Sequence, residues 1–349
     1  MLLRKRIFRF FRERQKKTHK LTYLFWECTW RCNLSCRHCG SDCYNDSTQE
    51  DMPLADFLSA VDTIPAEQRK DIIVVLTGGE PLMRTDIEQI GKEIRKRGMR
   101  WGMVSNGQLY TKEKHIALLN VGMQALTFSL DGLEENHNWF RNAKANFSAV
   151  DKALDFVARS SQLSFDVVTC VHQRNLHELE ALYAYLVEKG VKAWRLFTVF
   201  PIGRAKDNPE LFLSNAEFTR MMDFIAAKRK LGQIDVKFSC EGYVGNYEMK
   251  VRDSFFFCRA GINIGSILLD GSIGVCPNND RSLSQGNIYR DNFYHIWNTQ
   301  YAVFRNRDWK KTGICSHCKE FKYCEGNGMH YRHSGNVNVS VCHHRKLIS

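Results

Sequence analysis

An alternation of strand-like and helix-like segments constrains this chain more than any other feature. Apolar, β-rich runs occur at residues 22–29, 71–78, 100–106, 124–130, 163–171 and 191–200. Stretches of helical periodicity separate them at 54–64, 86–98, 112–120, 147–160 and 176–189, and another follows at 215–230. Strands joined through helices pair in parallel, because a crossover returns each strand in the same direction. The expected fold class is α/β. Six units are too few to close an eight-fold barrel, so the pattern predicts a partial (β/α)6 TIM-like barrel over residues 21–235. A small Cys-rich α+β domain is expected at 236–349, after a basic amphipathic segment at 1–20.

Function in such folds sits at the carboxyl ends of the strands. The cysteine-rich stretch CTWRCNLSCRHCGSDC (28–43) follows the first run, and Gly78-Gly79-Glu80-Pro81 follows the second. Ser105-Asn106-Gly107, Ser129-Leu130-Asp131-Gly132 and Pro201-Ile202-Gly203-Arg204 follow the third, fourth and sixth. Singly, such loops admit ordinary turn chemistry, since Asn-Gly and Asp-Gly are common turn pairs. Five on one rim converge on a site.

The chain has 349 residues and thirteen cysteines, and no continuous apolar core follows its basic start. Metal or redox chemistry in the cytoplasm is expected, in place of a disulfide framework. Cys32, Cys36 and Cys39 read as CxxxCxxC. Three thiolates do not saturate a tetrahedral zinc, but they suit an iron–sulfur cluster with one iron left open. Cys28, still in the strand, and Cys43, beyond the loop, are read as bystanders.

This triad after the first strand, with the ring of His38 before its last cysteine and GGEP after the second strand, resembles the radical S-adenosylmethionine (SAM) superfamily. The resemblance implies that Cys32, Cys36 and Cys39 hold a four-iron cluster whose fourth iron is chelated by SAM. It implies reductive cleavage of SAM to a 5′-deoxyadenosyl radical that takes hydrogen from a substrate carbon. His38 is then a neighbour of the adenine. Gly78 and Gly79 let backbone approach closely, Glu80 accepts from the SAM amino group, and Pro81 fixes the turn. Ser105 and Asn106 are placed for the ribose, and Ser129 and Arg141 for the carboxylate.

Further on, Cys258 and Cys276 flank Gly271, and Cys315, Cys318 and Cys324 read as CxxCx5C, with Cys342 beyond. This resembles the SPASM extension of peptide-modifying radical SAM enzymes, which carries one or two auxiliary iron–sulfur clusters. By position, Cys315, Cys318, Cys324 and Cys342 make one complete thiolate set. The usual run would place another cysteine at 328, where this chain has Gly328. Cys258 and Cys276 are left with Cys240 as a third thiolate, so that cluster is either absent or incompletely ligated. Zinc is the other reading of the region, held by the four thiolates or by three with His317, His343 or His344. Pro277 stands where sulfatase-maturing relatives carry an acid, which argues against that reaction. Asp280, Glu241, Tyr243, Tyr247 and Cys240 are all open as acid or base.

The resemblance implies a peptide or protein substrate and a one-electron donor such as a flavodoxin or ferredoxin; a small-molecule substrate is the alternative. A non-catalytic zinc or iron–sulfur binding module is the reading outside enzymes. Of the formal charge of +12, residues 1–20 carry nine Lys/Arg against Glu13 alone, so the body is only weakly basic and no nucleic-acid partner is expected. Leu3, Ile7, Phe10 and Phe11 share one face of that segment. It reads either as a helix for an anionic membrane surface or acidic partner, or as a cap on the barrel.

Overall fold

The computed structural model describes residues 2–44, 46–332 and 338–348. Its strands are β1 (Tyr23–Thr29), β2 (Ile73–Gly78), β3 (Arg100–Ser105), β4 (Ala125–Ser129), β5 (Ser164–Val171), β6 (Ala193–Thr198), β7 (Asp235–Phe238), β8 (Ile264–Ile267), β9 (Ser272–Gly274) and β10 (Gly286–Asn287). They form one sheet in the order β10-β9-β8-β1-β2-β3-β4-β5-β6-β7. All six expected strands are present within two residues of their runs. β1 to β7 pair in parallel, neighbour to neighbour, as the helical crossovers require.

Strand alternation sorts the side chains. Leu24, Trp26, Val74, Leu76, Trp101, Val167 and Trp194 are buried in the main core, and Trp26 stacks on Phe57 of helix Leu54–Asp62 at 4.0 Å. Residues between them face the other way, where polar pairs form: Asp166 with Arg195, and Glu27 with Arg281.

The sheet runs beyond the six expected strands. A seventh parallel strand, β7, follows helix Asn215–Leu231 and carries the expected boundary near 235 inside it. The region beyond packs directly on the barrel and extends its sheet. β8 pairs in parallel with β1 (Phe25 with Ser266, Trp26 with Ile267), and β9 and β10 continue the sheet antiparallel. The physical reason is that β1 is almost wholly buried and needs a partner on both edges. Phe293, Ile296, Trp297, Tyr301 and Phe304 join the same core as the barrel. The result is eight parallel strands that stay open: among the described residues, β7 pairs only with β6.

The basic segment is helix Leu2–Thr18. It packs on the carboxyl-terminal region and not on the barrel. Lys5 donates to Tyr243 at 3.0 Å, Arg12 donates to the carbonyls of Tyr323 and Lys322 and pairs with Glu325 at 3.0 Å, and Phe8 packs on Phe255. Leu3, Ile7 and Phe10 remain 61–76% exposed. No helix among the described residues is long and apolar enough to cross a membrane.

Candidate active site at the carboxyl rim

The loop carrying Cys32, Cys36 and Cys39 is held from three sides. The Cys32 N–H donates to Tyr44 and the Arg37 N–H to the carbonyl of Phe140, both at 3.0 Å. Asn142 donates to Ser35 at 2.9 Å. From the loop after β6, the Arg204 N–H donates to the carbonyl of Cys39 at 3.0 Å, and its guanidinium donates to that of Cys36 at 2.7 Å. Arg204 is thus a positioning residue that its loop foreshadowed but its sequence context did not single out.

Donors point at two of the three sulfurs. Asn106 Nδ2 lies 3.8 Å from Cys32 Sγ, and Arg141 Nη1 lies 3.7 Å from Cys36 Sγ. Such donors stabilise thiolates, which burial otherwise disfavours: burial pushes Cys32 up to about 12. Cys43 is buried beside the loop. Cys43 donates to the carbonyl of Ser41 at 3.8 Å, and its thiol beside Cys39 lowers the pKa of that group. Cys28 is fully buried in β1 and donates to the carbonyl of Thr77, as a structural thiol does.

Gly78 and Gly79 bring β2 against β1. A Cβ at Gly79 would collide with the Arg31 carbonyl, and one at Gly78 with that of Thr29. Gly79→Ala is expected to cost about 1–3 kcal/mol and to displace the cysteine loop; a denaturant midpoint and a SAM titration on the same variant measure both.

Glu80 is buried and central. Its Oε1 accepts from Ser105 at 2.9 Å and from the Leu82 N–H at 3.2 Å, while Oε2 accepts from the Asn106 N–H at 2.7 Å. Burial raises its carboxyl to about 7. Ser105 also accepts from the Gly107 N–H at 3.0 Å, so its hydroxyl is taken up by loop contacts. Asn106 donates to Asn33 at 2.8 Å. Pro81 opens the short turn Pro81–Met83. Ser129 is buried at the end of β4.

Arg141 ends helix Glu134–Arg141, an element the sequence pattern missed. Its Nε donates to Asp131 Oδ2 at 2.6 Å. Asp131 is fully buried and also accepts from the Cys170 N–H at 2.8 Å. Burial alone would raise its carboxyl, but the charge of Arg141 outweighs this and holds it below the usual range. His38 stacks on Phe140 at 3.8 Å with rings 3° apart, and burial lowers its pKa to about 3, so the ring is neutral. Its Nδ1 has no hydrogen-bond partner.

In the carboxyl-terminal region, Cys315, Cys318, Cys324 and Cys342 line one small cavity of about 30 Å³. Arg332 donates to Cys315 Sγ and the Asn327 N–H to Cys324 Sγ, both at 3.1 Å. Cys240, Cys258 and Cys276 line a second cavity of about 310 Å³. His343 is turned to Asn327 at 3.0 Å and to Glu241 at 3.5 Å. His344 lines the four-thiol cavity; His317 does not. Among the described residues, no three His, Cys, Asp or Glu side chains are grouped to hold a single metal ion. A cluster asks for a different geometry, because it spreads its thiolates over several irons.

Of the open acid–base candidates, Glu241 stands out. It is fully buried, accepts from the N–H and hydroxyl of Thr198 at 2.6 and 2.8 Å, and is raised to about 8 by burial. Tyr243 hydrogen-bonds Lys5 and Glu320, Tyr247 donates to Asp223 at 2.6 Å, and Asp280 caps the turn Arg281–Leu283.

The sequence profile of the radical SAM superfamily matches residues 26–186, and that of the SPASM iron–sulfur cluster-binding domain matches 258–319. An AdoMet-dependent heme synthase of Nitratidesulfovibrio vulgaris is 26% identical over 86% of this chain and 85% of its own length. The mycofactocin maturase MftC of Mycolicibacterium smegmatis is 25% identical over 88% of this chain and 77% of its own. Among solved structures, anSMEcpe with bound AdoMet and a peptide superposes with a TM-score of 0.69 at 20% identity, covering 91% of each chain. Streptococcus suis SuiB bound to its precursor peptide SuiA gives 0.68 at 16%, covering 89% of this chain and 73% of that one.

Proposed function

We propose that this chain, a radical SAM enzyme with a carboxyl-terminal SPASM domain, modifies a peptide or protein substrate at the carboxyl rim of its open barrel. The observation that carries the reading is the convergence of Cys32, Cys36 and Cys39 with Glu80, Asn106 and Arg141 on one rim. These three cysteines would hold the four-iron cluster. SAM would lie against Gly78, Gly79, Glu80, Asn106, Ser129 and Arg141, with His38 beside the adenine. The donors aimed at sulfur and the glycine-tight approach of β2 fit that occupant. When bound, cluster and SAM supply a 5′-deoxyadenosyl radical that abstracts hydrogen.

The chain's own residues do the rest. Arg204 fixes the cysteine loop, and Asn106 and Arg141 stabilise thiolate charge. Asp131 holds Arg141 in place. The neutral ring of His38 offers a flat face fixed by Phe140. The thiolates of Cys315, Cys318, Cys324 and Cys342 fit a fully ligated auxiliary cluster, suited to electron transfer.

A peptide substrate is supported by the maturase relative and by the fold shared with enzymes solved with bound peptides. A small-molecule substrate is the second reading, because heme synthases match most of this chain and most of their own length. An assay of 5′-deoxyadenosine separates them. A candidate precursor peptide is expected to raise its formation above the rate with SAM alone. Stimulation by an iron tetrapyrrole and by no peptide would transfer the assignment to the second reading.

The electron donor has a matching surface. A groove of about 790 Å³ lies between helix Leu2–Thr18 and the carboxyl-terminal region and reaches Cys318. Arg9, Lys17, Lys311, Lys319 and Lys322 line it and are exposed. Such a field steers an acidic carrier such as a flavodoxin. Reversing the charge of Lys311, Lys319 and Lys322 together is expected to slow reduction by flavodoxin roughly tenfold at low salt, with reduction by dithionite unchanged. Equal rates in stopped-flow would remove the groove from the electron path.

A further inference from the structure

The cavity lined by Cys240, Cys258 and Cys276 lies at the open seam of the sheet, bordered by Phe238 of β7 and Ile264 of β8. Three thiolates there lack the fourth that a cysteine at 328 would supply. We propose that His330 is the fourth ligand, and that these residues hold an auxiliary iron–sulfur cluster with three thiolates and one imidazole. The inference rests on the SPASM reading above.

Three observations carry it. His330 lines the same cavity as the three cysteines. A Cβ built on Gly328 would lie 2.6 Å from His330 Cε1 and 3.1 Å from its Nδ1. The imidazole, together with the Glu241 carbonyl at 2.6 Å, therefore occupies the volume a side chain at 328 would need, and glycine there admits both. The ring is also fixed: Phe200 packs edge-on at 4.5 Å, and Tyr331 lies at 4.3 Å. Tyr331 is itself buried and held against His343. A ligand placed by packed neighbours needs little reordering to bind. Arg195 and Arg259 line the cavity as well and offset the negative charge of thiolate ligation.

Imidazole changes what such a cluster does. It is neutral where thiolate is anionic, so the cluster gains an electron more readily, as in centres where histidine replaces cysteine. A cluster at this seam would act as an acceptor of electrons more than as a donor.

The test uses the full chain, reconstituted anaerobically with iron and sulfide. Cys36→Ala is introduced to silence the rim cluster. Pulsed electron paramagnetic resonance of the reduced protein should show strong nitrogen hyperfine coupling that changes on labelling histidine with heavy nitrogen. His330→Ala and His330→Cys should lose this coupling, and His330→Cys should keep its iron and titrate at a lower potential. Cys258→Ala should lose about four irons per chain. Retention of full iron by Cys258→Ala, or stoichiometric zinc in place of iron, would overturn the cluster while leaving the rim chemistry standing. Loss of iron in Cys258→Ala without any histidine coupling in the parent would overturn the ligand. That last measurement needs no variant at His330 to fold.

Discussion

Cys36→Ala is expected to abolish SAM cleavage: in an anaerobic assay with dithionite, 5′-deoxyadenosine should fall to background. On the proposed assignment each cysteine of the triad is one of three ligands, and a cluster held by two is not retained. Iron should fall by about four per chain, while the auxiliary sites keep theirs. Cys28→Ala is the matched control. Its thiol is fully buried in β1 and touches the Thr77 carbonyl, far from the donors that face the triad. It should lose stability and keep both iron and activity. Cys43→Ala is expected to lie between the two, because a thiol buried beside the loop is lost while the three proposed ligands remain. SAM cleavage at the parent rate by Cys36→Ala would refute the assignment of the triad.

Asp131→Asn is expected to destabilise the protein by about 3–5 kcal/mol, the loss typical when one partner of a buried ion pair is removed. Asp131 is fully buried and Arg141 nearly so. The amide would leave Arg141 charged, buried and without its carboxylate. The effect should reach the site, since Arg141 also points at Cys36. Thermal melts with and without SAM separate the two consequences. The pH dependence has a defined sign. A carboxyl held below its ordinary 3.8 contributes stability that is fully present above that value and is lost as pH falls through the lower folded value. Acid unfolding of Asp131→Asn should lack this component. Parent-like stability would mean that Arg141 finds compensation elsewhere.

The legible parts of the molecule were those with long periodic patterns. Six strands and six helices repeat at a spacing that only parallel pairing explains, and glycine pairs and cysteine spacings punctuate their ends. What escaped notice was short. Helix Glu134–Arg141 opens on Glu-Glu-Asn without a side-chain cap, so Arg141 was seen but its support was not. β7 has four residues, two of them charged. Glu241 was one of five acid–base candidates until burial and the Thr198 contacts set it apart. The composition of the chain changes at 236, while the hydrogen bonding of the sheet continues through β8. Gly328 looked like a gap in a motif; beside His330 it is room for a ring.

The pairing of β8 with β1 also has a consequence for how the chain is made. On the ribosome β1 emerges early, finds β2, and keeps its other edge bare until residues 264–267 have been synthesised. Contacts so distant in sequence form slowly. The cysteine loop hangs from the end of that half-paired strand, so its mature surroundings wait for residues 264–267 of the 349. A truncated product ending before residue 264 would leave that edge of β1 unpaired and present a sticky strand to the cell's quality control.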